Sequence, residues 1–140
     1  MKLLTRLYCF LNGYQLKPGA DLHGAFLHSA DLRAASLAAA NLNEAFLVQA
    51  DLRGADLSAA DLRTALLSGA RLAQANLGGA DLQKAILNGA DLQEAAGLQA
   101  ADLRGAYFNQ DTRWNVKLAT YGRALWQAAR TEGLGLLLDS

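Results

Sequence analysis

Fifteen consecutive blocks of five residues, from Ala20 to Glu94, each begin with Ala and carry Leu in third place. An apolar period of five matches neither the 3.6 residues of a helical turn nor the two of a strand, so neither a long helix nor a long strand can use it. It suits a short extended piece followed by a corner. In the extended piece Ala and Leu point to one side and the residue between them to the other. The fourth and fifth places, rich in Gly, Ala, Ser, Gln and Asn, make the corner. The inside is therefore Ala and Leu, and the outside is everything else. Strict self-similarity at a short period is the mark of a solenoid, whose units cannot bury their own apolar faces and stack on one another to do so.

The register slips once. Leu is due at position 97, where Gly97 stands, and arrives one place late as Leu98, after which Ala101-Asp102-Leu103 and Ala106-Tyr107-Phe108 resume the series. One inserted residue near Ala95–Gly97, read as a bulge at Gly97, accounts for the slip.

The outward second place of each block is mostly Asp or Asn. It is apolar at Phe26, Phe46, Leu66 and Ile86, each twenty residues from the last, and at Tyr107 once the inserted residue is allowed for. Twenty residues per coil would align these five side chains as a ladder up one outer face, with rungs about 4.8 Å apart. The tandem A-[D/N]-L-x-x blocks resemble the pentapeptide-repeat proteins. That resemblance implies an all-β solenoid, a right-handed quadrilateral (four-sided) β-helix, here of about 4.5 coils. The stretch Tyr107, Thr112, Trp114 is similar to the tail that follows the repeats in that family, with Asn115 where members commonly have Pro.

Both ends of a solenoid expose strand edges that need covering. Residues 1–19 are expected to be an N-terminal cap and lead-in: Leu3, Leu4, Leu7, Tyr8 and Leu11 recur at helical spacing, and Asn12-Gly13 ends the helix. Residues 20–110 form the β-helix. Residues 111–140 are expected to be a C-terminal helical cap and tail, with Asp111 or Thr112 as helix cap, Trp114, Leu118, Tyr121 and Leu125 as its contact stripe, and Gly133 at its end.

Charge narrows the function classes. The chain has thirteen basic and thirteen acidic residues; residues 20–110 hold ten acids and six bases, a net of −4. No strongly basic surface results, so nucleic-acid partners are not expected. Asp31, Asp51, Asp61 and Asp102 are each followed two places on by Arg33, Arg53, Arg63 and Arg104, close enough for the charges to cancel. Cys9 stands alone and reads as a buried structural thiol; with only His23 and His28 for company it makes no zinc site, and no metal or cofactor is expected. The two histidines fall one block apart, on adjacent faces that diverge, and the aspartates lie on convex faces without a cleft. No catalytic residues are assigned and the chain is expected not to be an enzyme. Arg6 and Asn12 interrupt what a secretory leader would keep apolar, and no run approaches a membrane span, so a soluble, cytoplasmic protein is expected.

Two function classes stand side by side. In one, the chain is a rigid interaction scaffold or assembly module, and the ladder of Phe26, Phe46, Leu66, Ile86 and Tyr107, or the C-terminal segment, meets a protein partner or a second copy; alternatively, one of the chain's own terminal helices covers that ladder. In the other, which the resemblance implies, the chain acts as a topoisomerase (gyrase) inhibitor or protection factor by mimicking DNA. That activity relies on a long acidic rod. The family is abundant in cyanobacteria, and the resemblance itself names no substrate.

Overall fold

The structure is a computed structural model and describes Cys9 and residues 12–114. Fifteen isolated parallel bridges run through it, joining the second residue of each block to the second residue of the block four further on: Asp21 to Asn41, Phe26 to Phe46, Asp31 to Asp51, Ser36 to Asp56, and onward in the same way. Each coil therefore takes four blocks and twenty residues, and the chain is a β-helix.

Hydrogen-bond accounting explains the block. In Ala45–Gln49 the Phe46 amide donates to the Ala25 carbonyl one coil back (2.9 Å), and the Leu47 and Gln49 amides donate to the Leu66 and Ser68 carbonyls one coil on (2.8 and 2.9 Å). The next Ala closes the corner: the Ala50 amide donates to the Leu47 carbonyl at 3.0 Å, the bond of a four-residue β-turn. Four of the five backbone amides of a block are thus met by backbone. The fifth, that of the fourth residue, is met by the second residue's side chain wherever that residue is Asp or Asn with the right geometry. His23, Arg33, Asn43, Arg53, Ser58, Arg63, Gly78, Gln83, Gln93 and Arg104 all donate in this way to the Asp or Asn two places before them. Asp and Asn recur because their short side chains reach an amide two residues on and fix the corner.

Inside the coil the two apolar columns are dry. Every inward Leu from Leu22 to Leu92 is at most 1% exposed, and Ala takes the narrow positions between them. Trp114, Tyr14 and Leu16 pack against this core at its two ends.

The corners carry a strain that composition alone conceals. Every fifth residue from Gly19 to Glu94 has a positive φ, between 54° and 69°, and ten of these are not glycine: Ser29, Ala34, Ala39, Glu44, Gln49, Ala59, Thr64, Gln74, Lys84 and Glu94. A side chain in this left-handed region costs about 1–2 kcal/mol. The coil tolerates it because the turn bond and the bonds to both neighbouring coils hold the corner in place.

Two departures from the twenty-residue repeat close the column. Asn76 still pairs with Ala96, but Asp81 pairs with Asp102 and Ile86 with Tyr107, an offset of twenty-one. The extra residue is absorbed in a one-turn 3-10 helix, Leu98–Ala100, entered through Gly97 at φ 73°, rather than in a widened strand, and Leu98 keeps the Leu column filled at 1% exposure. Only glycine fits at 97: a Cβ there would lie 2.5 Å from both the Cα and the N of Gly78. A second extra residue follows, since Asp91 pairs with Arg113. The coil consequently runs past 110 as far as Trp114. Thr112 does not cap a helix; it occupies an inward Ala position, 7% exposed, and its Oγ1 donates to the Leu87 carbonyl at 2.9 Å. Trp114 falls in the inward Leu position and packs edge-on against Phe108, ring centroids 5.1 Å apart. The sequence expectation of a helix beginning at Asp111 or Thr112 is corrected accordingly: a second insertion, in the polar stretch between Tyr107 and Arg113, hid the continuing alternation. The expected N-terminal helix residues Leu3, Leu4, Leu7, Tyr8 and Leu11, and Leu118, Tyr121, Leu125 and Gly133 of the expected C-terminal helix, lie outside the described residues.

Two predictions follow from this architecture. Leu62→Ala should lower stability by about 2–5 kcal/mol by opening a hole in the column, whereas Arg63→Ala, on the outside, should change it by less than about 1 kcal/mol. Equal shifts in urea midpoint would contradict the inside-outside assignment. Exchanges between Gly and Ala should have opposite signs at two corners. Ala59→Gly should raise stability by about 0.5–1 kcal/mol by relieving a positive φ, and Gly97→Ala should lower it by about 2 kcal/mol or more because the new Cβ meets backbone.

Candidate protein-interaction face

Stacking in register gives the column four outer ladders. Three are polar. One comprises Asp21, Asn41, Asp61, Asp81 and Asp102, a second Asp31, Asp51, Arg71, Asp91 and Arg113, and a third Ser36, Asp56, Asn76 and Ala96. Like charges one coil apart would repel, and three devices relieve this. Arg33, Arg53, Arg63 and Arg104 each grip the Asp two places back through Nε and a terminal nitrogen, at 2.6 to 3.0 Å. Amides bridge coils, as where Asn41 Nδ2 donates to Asp21 and Asn76 Nδ2 to Asp56. On the second ladder the sign itself changes, with Arg71 at 3.6 Å from Asp51 and Arg113 at 3.4 Å from Asp91.

Such contacts hold Asp31, Asp51, Asp56, Asp61 and Asp102 in their charged form. The Arg33 guanidinium keeps Asp31, only 3% exposed, far below the ordinary carboxylate range, and hydrogen bonds from Arg53, Ser58, Arg63 and Arg104 lower Asp51, Asp56, Asp61 and Asp102 in the same direction. A carboxylate lowered in the folded state contributes stability that is fully present above its unfolded value, about 3.9, and is lost as pH falls through the folded one. Buried Cys9 shows the opposite effect, since burial pushes its thiol up.

The fourth ladder is apolar. Phe26, Phe46, Leu66, Ile86 and Tyr107 are linked rung to rung by parallel bridges. The Phe26 and Phe46 rings stack at 4.5 Å with planes 15° apart. Phe26 is 64% exposed, Phe46 37% and Tyr107 44%, while Leu66 and Ile86 are half-buried by their neighbours in the stack. The five positions aligned from the sequence are thus brought together on one face.

This face gives up a hydrogen bond at its corners short of the last rung; at Tyr107 the Asn109 amide donates instead to Thr112 Oγ1 at 3.2 Å. A phenyl, isobutyl or sec-butyl group cannot accept, and no acceptor among the described residues meets the backbone amides of Val48, Ser68 and Asn88, which correspond to the Asp-bound amides of the other ladders. Each missing bond forgoes about 0.5–1.5 kcal/mol. Sequence periodicity located the ladder but not this cost, which becomes visible only when each amide is assigned a partner.

His23 and His28 stand on successive corners of the coil, both exposed, and no group of three or more His, Cys, Asp or Glu among the described residues could hold a metal ion. No helix among them is long and apolar enough to cross a membrane.

A family model described as pentapeptide repeats, in eight copies, matches residues 30–69 and 65–96. A pentapeptide repeat protein from the Arabidopsis thaliana thylakoid lumen is 30% identical, with 74% of this chain and 71% of that one covered and a TM-score of 0.61. The chain belongs to the pentapeptide-repeat family. Rfr23, a pentapeptide repeat protein from the cyanobacterium Cyanothece 51142, is 39% identical over 68% of this chain, with a TM-score of 0.66. This pentapeptide-repeat chain covers 64% of the length of Rfr23. No curated protein matches it. With its relatives it shares the right-handed β-helix solenoid.

On acidification, unfolding should set in below about pH 4, as Asp31, Asp51, Asp56, Asp61 and Asp102 protonate. Arg33→Ala should move that acid midpoint upward by removing the group that holds Asp31 charged. An acid midpoint identical to wild type, followed by circular dichroism, would contradict the assigned coupling.

Proposed function

We propose that this chain is a non-catalytic interaction scaffold or assembly module, and that the ladder Phe46, Leu66, Ile86, with Phe26 and Tyr107 at its ends, is its binding face. The column is four-sided, of about 4.5 coils. One observation carries the reading: a single ladder of the four has apolar groups in place of the corner-fixing Asp or Asn along its whole height, and the Val48, Ser68 and Asn88 amides are left without an acceptor among the described residues. A contiguous exposed apolar patch of a few hundred Å2 on a soluble domain marks an interaction site.

A non-catalytic role is supported by the condition of the carboxylates. They sit on convex faces, and those most perturbed are held charged by Arg or by hydrogen-bond donors, the reverse of what a general acid requires. Mimicry of DNA is the weaker reading. A column of about 22 Å equals the rise of only about six to seven base pairs, and its Asp ladders are interleaved with Arg33, Arg53, Arg63, Arg71, Arg104 and Arg113.

Changing Phe46 and Leu66 together to Asp tests the proposal. The two carboxylates can accept the Val48 and Ser68 amides as Asp does on the other ladders, so the variant should stay folded with little change in melting temperature. Any association of the chain should be lost, because unpaired carboxylates would have to be buried against an apolar surface. Melting far below wild type, with a monomer's mass in both proteins, would mean that the chain covers its own ladder and would overturn the proposal.

A further inference from the structure

We propose that the occupant of the ladder is a second copy of the chain, packed face to face and antiparallel about a two-fold axis that crosses the ladder at Leu66. This rests on the reading of the ladder as a binding face and adds the partner and the register.

The argument starts at the corner that borders the ladder on its N-terminal side. The corner residues there, in stacking order, are Gly24, Glu44, Thr64, Lys84 and Gly105. Backbone bonds fix that order: the Glu44 amide donates to Arg63, the Thr64 amide to Gln83 and the Lys84 amide to Arg104, each one coil on. Glu44, Thr64 and Lys84 are exposed, two residues before Phe46, Leu66 and Ile86. Neither Glu44 nor Lys84 belongs to any ion pair among the described residues, in contrast to the Asp and Arg groups of the polar ladders. One negative and one positive charge thus stand symmetrically about the middle rung.

Two isologous arrangements can pair the ladder with itself. With the axis along the column, rungs meet their own copies and the charged edge meets the opposite edge, so Glu44 faces the partner's Gln49 and Lys84 faces the partner's Gly89. With the axis across the ladder at Leu66, the order of rungs inverts while each edge stays on its own side. Glu44 then meets the partner's Lys84, and Lys84 meets the partner's Glu44. Phe46 packs on the partner's Ile86 and Leu66 on the partner's Leu66. The other edge brings Val48 to the partner's Asn88 and Ser68 to the partner's Ser68, with no charge facing a like charge. Arg63, beside the axis, is already neutralised by Asp61 at 2.6 Å. Complementary charge sets register and orientation more than it sets raw affinity, and here it selects the antiparallel arrangement.

The interface is small. Five rungs span about 19 Å, and the face offers a few hundred Å2, below the ~800 Å2 per partner of a standard complex. The dimer is accordingly weak, concentration-dependent and weakened by salt.

Light scattering across a concentration series, on wild type and charge variants of the full chain, tests this. Wild type should pass from monomer to dimer as concentration rises. Glu44→Lys alone and Lys84→Glu alone should each shift the midpoint about tenfold or more toward monomer, because like charges meet twice in the dimer. An equimolar mixture of the two variants should dimerise again, since every contact then joins unlike charges. The double variant Glu44→Lys/Lys84→Glu should dimerise like wild type. Both side chains are exposed at closely similar φ, 59° and 58°, so all variants should melt alike. Wild type that stays monomeric at every concentration overturns the self-pairing. A wild-type dimer indifferent to both charge reversals overturns the antiparallel register; if that dimer is still broken by the Phe46 and Leu66 double Asp variant, the ladder as a binding face survives, and if it is not, both fall.

Discussion

Everything in this molecule depends on finding a partner for one amide in five. Coiling at twenty residues per turn lets the backbone satisfy four amides of a block inside the column such as Ala45–Gln49, two with the coil on one side, one with the coil on the other and one within the corner. The remaining amide turns outward at the fourth place. An Asp or Asn two residues earlier accepts it, and the same side chain then takes Arg33, Arg53, Arg63 or Arg104 on its second oxygen. The recurrent outward Asp is therefore part of the backbone's hydrogen bonding, and the column's acidity is a by-product of its folding.

The apolar ladder acquires its meaning against that background. Phe46, Leu66 and Ile86 occupy positions where Asp would fix the corner, and the amides of Val48, Ser68 and Asn88 have no acceptor among the described residues in consequence. Stacking of rung on rung recovers part of the loss, as the parallel Phe26 and Phe46 rings show. A covered ladder recovers more. The corner charges Glu44 and Lys84 then have a use that folding does not give them, since both remain outside the ion pairs that organise the polar faces.

Much of this was legible in the sequence because the period is short and nearly unbroken. Ala and Leu at places one and three fix the inside, and apolar residues twenty apart fix the ladder without reference to any structure. Legibility failed where the period did. The first extra residue, at Gly97, left a visible slip; the second, between Tyr107 and Arg113, fell in a polar stretch where Thr112 replaces the inward Ala and Trp114 the inward Leu, so the last described strand read as the start of a helix. The left-handed corners were hidden for a different reason. Ala, Glu, Gln, Lys and Thr carry no composition signal for positive φ, and only the bonds around each corner impose it on Thr64 or Lys84.

Amide hydrogen exchange tests the central claim most directly, because it reads the unpartnered amides one by one. In dilute protein, Val48, Ser68 and Asn88 should exchange much faster than Arg53, Arg63 and Gln93, the corner amides held by Asp. At concentrations where the chain associates, the first three should slow while the second three keep their rates. Uniform protection of all six in dilute protein, or ladder amides whose exchange is the same at every concentration, would contradict the account.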